Sequence, residues 1–278
     1  MKLLRHGARG HERPGLLDDQ GVMRDLSGEL ADLTADRLDR ESLERIARLD
    51  PARLPVVAAD TRLGVPVAGI GKIIAVGLNY REHAGETKMR VPTEPILFMK
   101  AITALNGPND DVVAPRGSTK LDHEVELVIV IGRHARNVSE AEAPRFIAGY
   151  CLGNDVSERA FQLERGGQWT KGKSADTFAP LGPYLVTDAI DPASLDIWLE
   201  VNGEERQRSN TSQMIFGPAK LVSYISEFMS LLPGDVIYTG TPAGVGVART
   251  PPVFLTAGDV VTLGIDGLGT QRQRVVLS

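Results

Sequence analysis

The residues with the clearest capacity for chemistry lie in one stretch, Leu121-Asp122-His123-Glu124-Val125-Glu126-Leu127-Val128-Ile129-Val130-Ile131. Its second half is apolar and β-branched, which predicts a buried strand. Side chains two apart on a strand share a face. Asp122, Glu124 and Glu126 are therefore expected to point the same way as Val128 and Val130. Three like charges at the mouth of a buried strand repel one another, and burial adds a desolvation cost for each. Either a divalent cation neutralises them or this end of the strand is a wet edge, and the stretch alone fits both. A second acid shifts the balance toward the cation. Tyr150-Cys151-Leu152-Gly153-Asn154-Asp155-Val156 reads as another apolar strand that ends in a carboxylate. Glu124, Glu126 and Asp155 form an all-oxygen set, which suits Mg²⁺, Mn²⁺ or Ca²⁺ better than zinc or copper.

The elements that must position these acids come from the rest of the chain. Its 278 residues are 42% hydrophobic and 24% charged, the proportions of an ordinary globule, so disorder, collagen and coiled coil are excluded. No apolar run approaches the roughly 18 residues of a membrane span. A net charge of −5 argues against a nucleic-acid surface. The single cysteine, Cys151, rules out an intrachain disulfide and a zinc-thiolate cluster. Met1–Gly7 turns polar before any apolar core of a leader develops, so no signal peptide is expected and a cytoplasmic location is.

Short β-rich runs separated by Gly and Pro dominate after residue 70: Lys72–Leu78, Ile96–Met99, Val125–Ile131, Tyr184–Val186, Ile197–Val201, Val236–Tyr238 and Val260–Ile265. Helical patterns are few. Ser139 and Glu142 match a capping box and predict a helix from Ser139 to Phe146. Pro218–Leu231 predicts a second, with Leu221, Ile225 and Met229 on one face. Strands do not alternate with helices, which argues against a doubly wound parallel sheet. The expectation is an α+β, mixed, mostly β domain over 70–278 with peripheral helices. Residues 1–69 are expected to form a small N-terminal α/β domain, in which Leu30, Leu33, Leu38, Leu43 and Ile46 recur at loosely helical spacing.

Five pieces in order resemble the fumarylacetoacetate hydrolase superfamily. They are Asn79-Tyr80 followed by Arg81-Glu82-His83; Glu124 and Glu126; Asp155, Arg159 and Gln162; Trp169-Thr170-Lys171-Gly172-Lys173-Ser174; and Gly234-Asp235-Val236-Ile237-Tyr238-Thr239-Gly240-Thr241-Pro242. The likeness covers about residues 70–278. It implies a mixed β-sandwich roll, a homodimer, and Mg²⁺ or Mn²⁺ held by Glu124, Glu126 and Asp155. It also implies a small 2-oxo acid as substrate, with no nucleic-acid or membrane partner.

The remaining roles lean on this resemblance. His83 and Glu86, three apart on a helical turn, would form a dyad in which the glutamate orients the imidazole as a general base. The pair alone would more often be a solvated surface feature. Lys173 would stabilise a developing enolate, with Lys171 on the surface. Gln162 would hold the attacking water or the substrate carbonyl. Arg159 would bind a carboxylate or form a structural salt bridge. Thr241, in a glycine-rich loop, would donate to a substrate carboxylate. Lys100 would contact the substrate tail or simply end its strand. The implied reaction is metal-dependent hydrolysis of a C–C bond in a 2,4-dioxo acid. The closest branch cleaves 2,4-diketo-3-deoxy-L-rhamnonate or fuconate. Acylpyruvate or fumarylpyruvate hydrolase, oxaloacetate decarboxylase and dienedioate isomerase are alternatives on the same fold, and a non-enzymatic metal-binding module is a remote one.

Overall fold

The computed structural model describes residues 1–86, 90–188 and 190–278. Two sheets organise them. The larger has nine strands, in the order Met23–Asp25, Arg13–Leu17, Lys2–His6, Leu185–Val186, Ile147–Asn154, Val125–Ile131, Val236–Tyr238, Ile73–Gly77, Ile96–Lys100. Its one parallel pair joins Val236–Tyr238 to Ile73–Gly77. The smaller has five, in the order Glu204–Asn210, Asp196–Val201, Val260–Ile265, Gly269–Leu277, Val112–Ala114. The helices are short and peripheral: Arg40–Ala47, Arg81–Glu86, Arg159–Leu163, Thr170–Lys173 and Pro218–Phe228. This is the α+β architecture of mixed sheets and few helices expected from the strand-rich sequence, and no described helix is long and apolar enough to cross a membrane.

The strand Val125–Ile131 sits in the middle of the larger sheet, and all seven of its residues are buried. Burial on both faces explains the apolar run Leu127–Ile131. Ile129 and Ile131 join one apolar cluster with Leu221, Val222 and Ile225 of the helix Pro218–Phe228. Each such side chain contributes about 1.5–3 kcal/mol through burial. Val128 and Val130 belong to a larger cluster that also holds Leu199 and Leu263 of the smaller sheet. The same cluster takes in Leu3, Leu16, Leu26, Leu33 and Leu38, and Lys2–His6 pairs with Leu185–Val186. The larger sheet thus runs across residue 69.

The helix expected at Ser139–Phe146 is a single 3₁₀ turn, Ala143–Phe146. Ser139 Oγ is engaged by the Glu142 carboxylate, 2.7 Å away, and not by a backbone N–H, so no capping box forms. The leucines between 30 and 46 are helical only over Arg40–Ala47, where Asp39 caps the N-terminus through Ser42 N. Leu33 and Leu38 are buried without helical structure.

Candidate metal and active site

Strand register assembles the acids. Glu126 lies opposite Gly153 and Val125 opposite Asn154 in the antiparallel pair. One step further, Asp155 N donates to Glu124 O at 2.8 Å, which puts Asp155 beside Glu124. Side chains directly opposite on neighbouring strands lie close enough to share a ligand. The carboxylates of Glu124, Glu126 and Asp155 can each offer an oxygen within 4.8 Å of the others, and all three residues are buried. Asn154 adds to the placement, because its Oδ1 accepts from Glu124 N at 3.1 Å and its Nδ2 donates to Gln273.

Asp122 does not join this group. It lies on a separate short strand, Leu121–Asp122, which pairs with Ser157–Glu158, and the chain breaks strand geometry at His123-Glu124. The expected common face therefore holds for Glu124 and Glu126 only. Asp122 is instead an anchor. It accepts from Gly246 N at 2.7 Å, Val247 N at 3.0 Å and Arg159 Nε at 2.8 Å. Burial opposes its charge, yet Arg159 and these donors hold its carboxyl below the ordinary range.

Three buried cations surround the triad. Lys173 Nζ donates to Glu124 Oε2 at 2.7 Å and to Asp155 Oδ2 at 2.8 Å. Lys100 Nζ donates to the other oxygen of Asp155 and to Val156 O. The Arg159 guanidinium reaches Glu124 Oε1 at 2.6 Å with one nitrogen and Gln162 Oε1 at 3.0 Å with another. Burial alone would raise the Glu124 carboxyl, but Lys173 and Arg159 outweigh it and hold it low. Burial would likewise lower Lys173, but Asp155 and Glu124 raise it. Lys100 is pushed down by burial, which Asp155 only partly offsets.

Glu126 is the exception. Among the described residues its hydrogen-bond donor is Gly240 N, at 2.8 Å, and no ion pair neutralises it. Burial, then the charges of Asp155 and Glu124, push its carboxyl well above the usual range. An acid so placed is what a bound cation would relieve. Each carboxylate oxygen has two acceptor positions, so the oxygens that receive Lys173 and Lys100 can also face a metal. The donor set therefore fits a hard divalent ion held by Glu124, Glu126 and Asp155.

The loop Thr239-Gly240-Thr241 closes over this site. Gly240 has φ +100°, and a Cβ there would lie 2.7 Å from the Asn79 Cβ, so glycine is needed both for the turn and for the close approach. Buried Asn79 ties the loop down by donating to Thr239 O at 2.7 Å. Thr241 does not play the role expected of it. Its single hydroxyl proton goes to Val125 O at 2.9 Å, and its oxygen accepts from Gln207, so none is left for a substrate carboxylate. Lys100 is also displaced from its expected role. It is 3% exposed, and its ammonium is taken up by Asp155 and Val156 O, so it serves the triad and not a substrate tail.

The helix Arg81–Glu86 carries the dyad. His83 Nδ1 lies 3.3 Å from Glu86 Oε2, and Gly244 N donates to both Glu86 oxygens at 3.0 and 3.1 Å. The carboxylate is thus fixed from behind and can orient the ring. His83, Glu124, Glu126, Arg159, Gln162, Lys173 and Thr241 line one cavity of about 130 Å³. Lys171 is exposed, as expected. Two buried supports were not read from the sequence as positioning groups: Asp122, and Glu158, which accepts from Lys120 N and Thr119 N and caps the helix Arg159–Leu163. Both appear as acids at strand ends, and only their backbone partners show what they do.

Arg159 joins Asp122 to Glu124, so Arg159→Met should leave two buried carboxylates short of a cation. The expected loss is about 3–5 kcal/mol, or roughly 10 °C in Tm for a domain of this size. Calorimetry would check it, and a change under 2 °C would show that the bridge carries little.

The order and geometry of these groups have counterparts elsewhere. The family profile described as fumarylacetoacetate (FAA) hydrolase C-terminal matches residues 72–276. The chain belongs to the fumarylacetoacetate hydrolase family. A Burkholderia orbicola (strain MC0-3) protein, whose name says hydrolase and no more, is 53% identical over 277 residues, which is 99% of this chain and 98% of that one. Among solved structures, the fumarylacetoacetate hydrolase of Exiguobacterium antarcticum superposes with a TM-score of 0.88 at 35% identity, covering 100% of both chains. The 5-carboxymethyl-2-hydroxymuconate delta-isomerase of Mycobacterium smegmatis does so with a TM-score of 0.78 at 37% identity, over 100% of this chain and 99% of that one. Hydrolase and isomerase names thus both occur among the family members similar to this enzyme.

Proposed function

We propose that this enzyme is a metal-dependent hydrolase that cleaves a C–C bond in a 2,4-dioxo acid. The observation that carries the reading is that His83, which Glu86 orients, lines one cavity with Glu124 and Glu126, the two acids that meet Asp155 in the triad. A bound Mg²⁺ or Mn²⁺ would supply Lewis-acid polarisation of the substrate's 2-oxo and carboxylate oxygens.

The protein's own groups do the rest. His83, aligned by Glu86, takes a proton from the water that attacks the C4 carbonyl. Gln162 accepts from Arg159 through Oε1, which leaves its amide N–H groups to hold that water or the carbonyl. The C3–C4 bond then breaks. Its electron pair goes to the three-carbon fragment as an enolate, which is protonated to pyruvate, and the acyl fragment leaves as a carboxylic acid. Lys173 keeps a positive charge beside the enolate as it forms. The rhamnonate or fuconate branch is one finer form of this reading, and the apolar lining of the cavity opposes it. With Lys100 taken up by Asp155 and Val156 O, that branch rests on the resemblance alone. A homodimer belongs to the same reading, and light scattering should return twice the 30.0 kDa chain mass.

A panel of 2,4-dioxo acids, incubated with Mg²⁺ and with chelator, tests the reaction by mass spectrometry. Pyruvate released only with the metal is the expected result. Tautomerisation of a hydroxydienedioate supplied alongside the panel, with no pyruvate from any dioxo acid, would instead favour the isomerase reading, for which the isomerase-named family member is the supporting observation.

A further inference from the structure

The charged floor of the cavity is used by the chemistry above, but its wall is not. That wall is apolar: Val76, Leu78, Phe98, Leu163, Trp169 and Val247 line it. Trp169 is seated on Gly77, where a Cβ would fall 2.5 Å from Trp169 Cζ3 and 2.9 Å from Cη2. Only glycine lets the indole lie this close to the strand end. Phe98 braces it from the neighbouring strand, because Ala75 pairs with Phe98 in the register that puts Gly77 opposite Ile96. The two rings meet edge to face with centroids 5.4 Å apart. Lys173 Nζ lies 5.1 Å from the centroid of the same Phe98 ring. Phe98 thus spans from the lysine on the charged floor to Trp169, and beyond it Leu163 is 51% exposed at the rim. Leu78 lines the same wall in a left-handed conformation, φ 54°, which a leucine adopts only under constraint.

We propose that Trp169, seated on Gly77 and braced by Phe98, is the specificity-determining wall of this site, and that it selects substrates whose tail is apolar or aromatic. A polyol tail pressed against these side chains would leave its hydroxyls without partners. An alkyl or phenyl tail covers apolar surface and gains its transfer free energy. The proposal takes the metal-binding head group from the hydrolase reading, but not the hydrolysis.

The test therefore reads binding and needs no turnover. Calorimetric Kd values for the Mg²⁺-loaded enzyme are measured with pyruvate, 4-methyl-2-oxopentanoate, phenylpyruvate and a 2-oxo-3-deoxy sugar acid. The two apolar tails should bind about tenfold more tightly than pyruvate, and the sugar acid should not. Trp169→Ala should remove that preference while leaving the affinities for pyruvate and for Mn²⁺ within about twofold, and Trp169→Phe should keep part of it. Gly77→Ala, which displaces the indole, should act like Trp169→Ala. A sugar acid that binds as tightly as phenylpyruvate overturns the proposal. So does a Trp169→Ala variant with an unchanged preference, or failure of all four acids to bind. Apolar preference without pyruvate release from any dioxo acid leaves the wall standing and defeats the hydrolase reading.

Discussion

Glu126→Gln is expected to lower kcat/KM by about a thousandfold or more, because it removes one of three anionic ligands without changing shape. The same substitution should abolish the stabilisation that Mg²⁺ gives the native enzyme. At a hundred times its Kd a ligand contributes about 2.7 kcal/mol, or roughly 5–10 °C in Tm for a chain of this size. The metal-free variant carries the distinctive sign. Glu126 is the acid that burial and its neighbours Asp155 and Glu124 oppose most, and its proton affinity is raised accordingly. Its charge therefore destabilises the metal-free fold at neutral pH. Glu126→Gln removes that charge, so without metal it should melt no lower than the native chain. Differential scanning fluorimetry with chelator and with Mg²⁺ separates the cases. A variant that melts lower without metal and still gains from magnesium would contradict the assignment.

His83→Ala carries the second large effect. General-base catalysis contributes about 10²–10⁴-fold, so kcat for pyruvate release should fall by that factor. The three carboxylates of the triad all remain in this variant, so the magnesium-dependent rise in Tm should persist. Glu86→Gln should cost less, since Gly244 N still holds its oxygen and one carboxamide face can still meet the ring. Release of pyruvate within a few-fold of the native rate in His83→Ala would remove the dyad from the mechanism.

How far the sequence reveals this site depends on which interactions lie within one segment. The alternation in Glu124-Val125-Glu126 and the apolar run behind it place two of the triad's acids at the start of a buried strand, and Asp155, just past the end of the next strand, completes the set. Glu86, one helical turn from His83, is legible only through the family resemblance, since the spacing alone fits a solvated surface pair. Asp122 looked identical to the other acids by spacing, yet a break in the strand at His123-Glu124 turns it to Arg159 and the Gly246 loop. No local pattern announces that break. Lys100 and Thr241 were misplaced for a related reason. Each is polar at a strand end, and only the tertiary partner, Asp155 in one case and Val125 O in the other, shows that its donors are already used.

The fold divides the same way. Ile73–Gly77, Val125–Ile131 and Val260–Ile265 are apolar enough to be seen as strands on their own. Glu204–Asn210 and Gly269–Leu277 carry polar residues toward solvent and also buried amides, Gln207, Gln271 and Gln273, whose partners are tertiary, so no apolar alternation marks them as strands. Lys2–His6 is held as a strand by pairing with Arg13–Leu17 on one side and Leu185–Val186 on the other.

The central claim is that the three carboxylates hold one hard dication, and anomalous diffraction from crystals soaked in Mn²⁺ tests it most directly. One strong peak at coordination distance, about 2 Å, from an oxygen of each of Glu124, Glu126 and Asp155 is the predicted result. Manganese-soaked crystals with no peak there, and with Glu124 and Asp155 still bound only by Lys173, Lys100 and Arg159, would contradict it.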